Sequence, residues 1–206
     1  RMLAHYLARY DGGRYAKLLL EDDIHQINAD KIGISRRQVK TVTYAFLYGA
    51  GDEKIGHSYD QQLSTTAAKK KGKEIRAAYV DAVDGLDDLL KAIKQAAERG
   101  FIRSIDGRKV NVDSPHKALN YCLQSGAGVV AKRWMVINQE TMREAQICAA
   151  QLGFIHDELQ FECAPEHVGD LSTSLVYSAT AAGEYYNMRI RIDAEATNGN
   201  NWSETH

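Results

Sequence analysis

Apolar residues recur at helical spacing through most of the first half of the chain and give way to shorter alternating runs in the second. The pattern predicts a helix from Met2 to Arg9, broken at Asp11-Gly12-Gly13. Asp23 then caps a helix carrying His25 and Ile27 toward Ile32, and Gly33 interrupts it. Ser35 caps the next helix, Arg36–Tyr48, which Gly49-Ala50-Gly51 ends. Thr65 or Thr66 starts a helix through Lys69–Val83, and another covers Leu86–Arg99 up to Gly100. Phe101–Ile105 and Lys109–Val112 flank Asp106-Gly107, a strong short hairpin signal. A long helix follows from near Pro115 to about Glu144, with His116, Asn120 and Gln124 on a polar ridge. Leu119, Leu123, Val130, Trp134 and Ile137 fall on its packing side, and Ser125-Gly126-Ala127-Gly128 permits close approach of another backbone. Ile147–Ile155 and Leu159–Cys163 read as strands around His156-Asp157-Glu158. A helix over Pro165–Tyr185 and a last strand over Met188–Ile192 complete the pattern.

This order predicts an α+β architecture: a helical lobe followed by an antiparallel sheet backed by helices. At 206 residues the chain holds one substantial core or two small lobes. The net charge of −1 gives no global basic footprint, although a local basic surface suffices to bind nucleic acid. The lysine-rich run Lys69-Lys70-Lys71-Gly72-Lys73 fits a solvated helix face better than a DNA clamp. Cys122, Cys148 and Cys163 lack metal-ligand spacing, and their odd number argues against a disulfide framework, so a reducing cytoplasm is the simplest compartment. No apolar run is long enough for a helical membrane span, and no signal peptide is visible.

The richest chemistry lies on the Arg36–Tyr48 helix. Arg36, Lys40, Tyr44 and Tyr48 are spaced four apart, which keeps them on one ridge. The two cations suit phosphate oxygens. The two tyrosines suit a flat base and a sugar, since an aromatic face stacks and its hydroxyl can hydrogen-bond. Triphosphate at one end and nucleoside at the other is the outline of a nucleotide. Spacing alone also fits a solvated Arg–Lys face with partly buried tyrosines.

The order Arg36-x3-Lys40-x3-Tyr44-x3-Tyr48-Gly49 resembles the fingers-helix motif of family A DNA polymerases, the polymerase-I type, and its phage branch in particular. Ile155-His156-Asp157-Glu158 resembles that family's metal-binding palm motif. Asp106-Gly-Arg-Lys with Asn120 and Gln124 is similar to its primer–template segment, and Asn201-Trp202-Ser-Glu-Thr-His206 is similar to its C-terminus. The resemblance implies a palm-to-fingers helix and linker over residues 1–24, a fingers subdomain over 25–100 and a C-terminal palm over 101–206. The implied activity is addition of a dNTP to a primer 3′ end by two-metal phosphoryl transfer on primer–template DNA, with two Mg²⁺ ions.

By the same resemblance Arg36, Lys40 and His25 contact the triphosphate, with Lys40 counted among the catalytic groups, while Tyr44 and Tyr48 meet the nucleoside and the nascent pair. Asp157 ligates metal, with Glu158 beside it, and His156 contacts the primer terminus. Asn120 and Gln124 reach the minor groove, and Arg108 and Lys109 meet phosphates or form a charged hairpin edge. A tyrosine hydroxyl at Tyr44 also implies weak discrimination against dideoxynucleotides.

Arg1 matches the closing arginine of the family's other palm motif, Asp-x-Ser-x-x-Glu-x-Arg, whose aspartate would lie seven residues before it. The expectation is therefore a polypeptide inactive or nearly so by itself. An N-terminal portion, from the same protein or a second chain, would supply that motif and the thumb. A fragment of a single-subunit phage-type RNA polymerase is the nearest alternative, although its palm motif reads His-Asp-Ser. A non-catalytic DNA-binding remnant is the other.

Overall fold

A computed structural model describes residues 1–205; His206, which closes the C-terminal block, lies outside the described residues. The architecture is α+β, as expected, and its contacts separate into two units that meet between Gly126 and Ala127. The first unit contains α1 (Met2–Leu7), α2 (Arg14–Glu21), α3 (Ile24–Ile32), α4 (Arg36–Leu47), α5 (Asp52–Tyr59), α6 (Thr65–Ala82) and α7 (Leu86–Ala97). The hairpin β1 (Phe101–Arg103) and β2 (Lys109–Asn111) follows, then a 3₁₀ turn at Pro115–Lys117 that opens α8 (Ala118–Glu144). The second unit takes over within α8 and adds β3 (Ala149–Ile155), β4 (Glu158–Cys163) and α9 (Val168–Tyr185), with 3₁₀ turns at Pro165–His167 and Trp202–Glu204.

Two helices were not expected from the pattern. The Asp11-Gly12-Gly13 break is also the entry to α2, because the Asp11 carboxylate accepts from the Gly13 and Tyr15 amides at 2.8 and 2.6 Å. Helix α5 contains Gly56, which is a packing contact in the fold. A Cβ at Gly56 would lie 1.9 Å from the Ala68 carbonyl oxygen of α6, and one at Gly72 would lie 1.8 Å from that of Asp52. The two glycines let α5 and α6 touch backbone to backbone. Gly72 is thus the buried member of the lysine-rich run; Lys69 reaches Glu53 at 3.5 Å and Lys71 lies over the Tyr59 ring, 4.9 Å from its centre. That run is a helix face, as expected.

The main core of the first unit gathers Leu3 and Leu7 of α1, Phe46 of α4, Tyr79 of α6, Leu86 and Leu89 of α7, and Leu119 and Leu123 of α8. Burial of such side chains contributes about 1.5–3 kcal/mol each relative to exposure. It also fixes which face of α4 points inward. A smaller cluster of Ala97, Ile102, Ala118 and Cys122 seats the first hairpin beside α8. Of the small residues on α8, Gly126 is closely packed against Met2 and Tyr6, whereas Gly128 faces open space.

In the second unit α8 and α9 are joined by polar contacts set among small residues. Trp134 Nε1 donates to the Leu175 carbonyl at 2.8 Å, and the buried Ser174 hydroxyl donates to Asn138 Oδ1 at 2.8 Å. Ala149, Phe161 and Cys163 of the hairpin pack on Met142, Ile147 and Leu171. The segment Met188–Ile192, expected as a strand, is not one. Ile190 is buried and Ile192 lies against Gly183, but the segment runs along α9, with Thr180 donating to the Ile192 carbonyl at 3.1 Å. Alternating burial needs only an apolar surface, whereas a strand needs a ladder partner, and α9 offers none.

Candidate nucleotide and metal sites

Helix α4 starts on a reciprocal cap: Ser35 Oγ accepts from the Gln38 amide at 3.3 Å, and Gln38 Oε1 accepts from the Ser35 amide at 3.0 Å. Val39, Val42, Thr43 and Phe46 are buried on one side. The opposite side carries Arg36, Lys40, Tyr44 and Tyr48, all exposed, the tyrosines by 51% and 64%. Large aromatics left this open beside two cations form a surface available to a ligand. Lys40 has no ion-pair partner among the described residues. Gly49, at φ 73°, turns the chain directly after Tyr48, where an L side chain would be strained.

Arg36 has a partner that the sequence did not disclose. Its Nε donates to Asp23 Oδ2 at 2.6 Å, while Asp23 Oδ1 accepts from the His25 and Gln26 amides at 3.1 and 3.2 Å, capping α3. The Arg36 guanidinium and the cap amides hold the Asp23 carboxyl below its ordinary value against a partial desolvation. His25, half-buried on the first turn of α3, has its pKa lowered by burial, raised in part by Asp23, and lowered again by Arg36 and Lys40. Its Nδ1 is buried with no hydrogen-bond partner. His25, Arg36 and Lys40 are therefore electrostatically coupled, and Asp23 joins the same group.

The expected DNA-contacting residues of the first unit occupy the α8 entry and the first hairpin. Asn120 is half-buried and donates from Nδ2 to the Leu47 carbonyl at 3.4 Å, tying the start of α8 to the end of α4. Gln124, one turn on, is exposed. Arg108 pairs with Asp106 across the β1–β2 turn at 2.5 Å, and Lys109 lies 4.7 Å from the Phe101 ring centre, with Arg99 and Arg103 at 5.6 and 6.0 Å. This hairpin is a cationic edge around one aromatic ring.

In the second unit Ile155 pairs with Glu158, so His156 and Asp157 alone form the β3–β4 turn. His156 adopts a left-handed φ of 54°, and His156 and Asp157 are both exposed at the tip. Glu158 lies on the first position of β4 rather than in the turn, and its Oε1 accepts from Gln160 Nε2 at 2.7 Å. A register shift between Gln151 and Gly153 leaves Leu152 unpaired and 62% exposed. Such bulges bend a strand and re-aim its side chains. Asp157 and Glu158 are hard oxygen donors on a short hairpin, which suits Mg²⁺ bound through one or two carboxylates with water completing its shell. No group of three or more metal-binding side chains occurs among the described residues.

The family model for DNA polymerase family A matches residues 13–204, from the entry of α2 through the C-terminal 3₁₀ turn. The chain belongs to DNA polymerase family A. The DNA-directed DNA polymerases of Enterobacteria phage T3 and Escherichia phage T7 are 34% and 33% identical to it across the whole chain, which covers 32% of each. The chain thus spans about a third of the length of these curated relatives. A solved structure, the POL domain of Pol1 from M. smegmatis in complex with DNA primer-template and dNTP, matches 93% of this chain and 36% of that one, with a TM-score of 0.75 at 21% identity. The fold of the two is shared.

Within this family A chain, two features escaped the sequence. Arg76 of α6 reaches back to the α4–α5 connection, with Nε on Asp52 at 2.6 Å, Nη2 on the Ala50 carbonyl at 2.5 Å, and its guanidinium 5.5 Å from the Phe46 ring centre. It braces the turn that follows Tyr48 and Gly49, yet nothing local marks it. A cavity of about 480 Å³ also opens between α4 and α5, lined by Arg37, Thr41, Lys54, His57 and Tyr59 among others. It lies off the Arg36–Tyr48 ridge, and none of the four ridge residues lines it. No helix among the described residues is long and apolar enough to cross a membrane.

Proposed function

We propose that this chain is the fingers and C-terminal palm of a polymerase that adds dNTPs to a primer 3′ end on a DNA template. Residues 25–100 form the fingers, 101–206 the C-terminal palm, and 1–24 the helix and linker between palm and fingers. The observation that carries the reading is the exposed α4 ridge, where two cations and two open tyrosines follow one another and His25 is coupled to the cationic end.

In this reading Arg36, Lys40 and His25 hold the triphosphate. Arg36 offers planar donors to phosphate oxygens, and Lys40 adds a compact charge that balances the departing pyrophosphate. Tyr44 lies along the sugar, and Tyr48 covers the nascent base pair. Asn120 and Gln124 donate side-chain amide N–H groups to minor-groove acceptors common to all pairs, so they test geometry without reading sequence. Arg108 and Lys109 bind DNA phosphates and set salt dependence. His156 meets the primer terminus. Asp157, and Glu158 beside it, hold Mg²⁺, which when bound supplies Lewis-acid activation of the primer oxygen and charge neutralisation at the leaving group.

Two carboxylates are few for two ions, so the remaining ligand comes from an N-terminal portion carrying the second palm motif, together with a thumb. The two-stranded β3–β4 sheet supports this, because Leu152, Phe154 and Ile155 are exposed along β3 and each strand has a free edge among the described residues. The working compartment is the cytoplasm, the host's if the gene is a phage's. The test is primer extension by this chain alone, and after mixing with an N-terminal portion. Extension with dNTPs is expected only in the mixture, lost on Asp157→Ala, and weak with ribonucleotides. Full activity of the chain alone contradicts the need for a partner. Activity unchanged by Asp157→Ala, or preference for ribonucleotides, rejects the assignment.

A further inference from the structure

Asp23 has two jobs in one carboxylate. Oδ1 accepts the His25 and Gln26 amides at 3.1 and 3.2 Å, which anchors the group to the N-terminus of α3. Oδ2 accepts Arg36 Nε at 2.6 Å, across the connection to α4. The contact to Arg36 is single and side-on. It engages Nε, and neither terminal nitrogen, with four N–H donors between them, hydrogen-bonds the carboxylate. An arginine on an open helix face is otherwise free to sample many rotamers, and ordering it is part of the cost of binding. Here the guanidinium is held by a group that is itself fixed to the preceding helix, and His25 lies on the same anchored turn.

We propose that Asp23 is a positioning residue of the nucleotide site: it pins Arg36 through Nε so that the terminal nitrogens are presented to the triphosphate, in register with His25 and Lys40. The proposal rests on the reading of α4 as the dNTP ridge. The same carboxylate could have been a competitor that masks Arg36 from phosphate, but a masking partner would take the forked Nη face, and this one does not.

The chemistry of the amide separates pinning from capping. In Asp23→Asn, Oδ1 still accepts the two cap amides, since Asn caps as well as Asp. The other position becomes an NH₂ group facing a guanidinium N–H, donor against donor, so the pin is lost and the cap is kept. Asp23→Ser likewise retains a cap oxygen but is too short to bridge to Arg36.

The experiment measures dNTP and inorganic tripolyphosphate binding to this chain by calorimetry, together with thermal melting, for Asp23→Asn, Asp23→Ser, Arg36→Ala and the double variant Asp23→Asn/Arg36→Ala. Asp23→Asn and Asp23→Ser should weaken binding about three- to tenfold with an unchanged melting temperature. In the Arg36→Ala background, Asp23→Asn should have no further effect, because the residue acts through that guanidinium. Tighter or unchanged binding in Asp23→Asn, or an equal loss in both backgrounds, overturns the proposal while leaving the nucleotide reading intact. If Arg36→Ala itself leaves binding untouched, the nucleotide reading fails, and the proposal with it.

Discussion

The pKa of His25 is lowered by burial and by two cations, and a bound anion would offset the cationic part. Burial lowers its pKa, Asp23 opposes this, and Arg36 and Lys40 lower it again. A triphosphate on the two cations would cancel their push and add an attraction, so nucleotide binding should draw a proton onto His25 near pH 6–7, about its ordinary range. Calorimetry in two buffers of different ionisation heat should show this uptake in the parent chain and its loss in His25→Gln. Equal uptake in both would exclude His25 from the site. The depressed value also carries a stability sign: the unfolded chain binds the proton more readily, so stability falls as pH drops through about 6.5 and levels off below the folded-state value. Tyr44, exposed on the same ridge, carries a hydroxyl that can replace the contact a dideoxynucleotide lacks. In an active assembly Tyr44→Phe should increase discrimination against dideoxynucleotides about tenfold. Strong rejection that the substitution does not change would remove the hydroxyl from the account.

At the scale of elements, the exposed α4 ridge depends on helices that hold α4 in place. Gly56 and Gly72 bring α5 and α6 into backbone contact, and α5 in turn packs its Ile55 against Val42 of α4. Intrinsic propensity favours alanine over glycine in a helix by about 1 kcal/mol. At Gly56 that gain is overridden, because the new Cβ would press on the Ala68 backbone rather than on a flexible side-chain end. Gly56→Ala should therefore destabilise the chain by about 1–3 kcal/mol in urea unfolding. Gly169 of α9 has open space around the same atom, so Gly169→Ala should be neutral or stabilising by a few tenths to about 1 kcal/mol. Stabilisation at Gly56 would mean that the two helices can separate without cost. Arg76 adds a polar brace to the same region, linking α6 to the turn after Tyr48.

At the scale of the whole molecule, the second unit ends its hairpin in an acidic tip with apolar residues left open on β3. Leu152 is the bulged residue, exposed and left out of the β3–β4 pairing. If an N-terminal portion completes this sheet, Leu152→Asp should weaken association about tenfold or more, with little change in the chain's own melting. Binding of that portion should also slow amide exchange along β3. Unchanged association of the variant would move the docking surface elsewhere.

Capping residues, glycine stops and hydrophobic periodicity place α3, α4, α6, α7, α8 and α9 from the sequence alone, because these signals act within a few residues of the chain. The candidate ridge was legible for the same reason: positions four apart on a helix must share a face. Where partners come from afar, local pattern misled or stayed silent. Helix α5 had no clear local signal, and Met188–Ile192 looked like a strand until α9 proved to be its neighbour. Asp23 was legible as a cap, but its bond to Arg36 spans two helices and follows from their packing. Sequence spacing could specify which side chains share a surface; only the folded chain decided which of them are braced, paired or left open, since those depend on groups distant in sequence meeting at hydrogen-bonding distance.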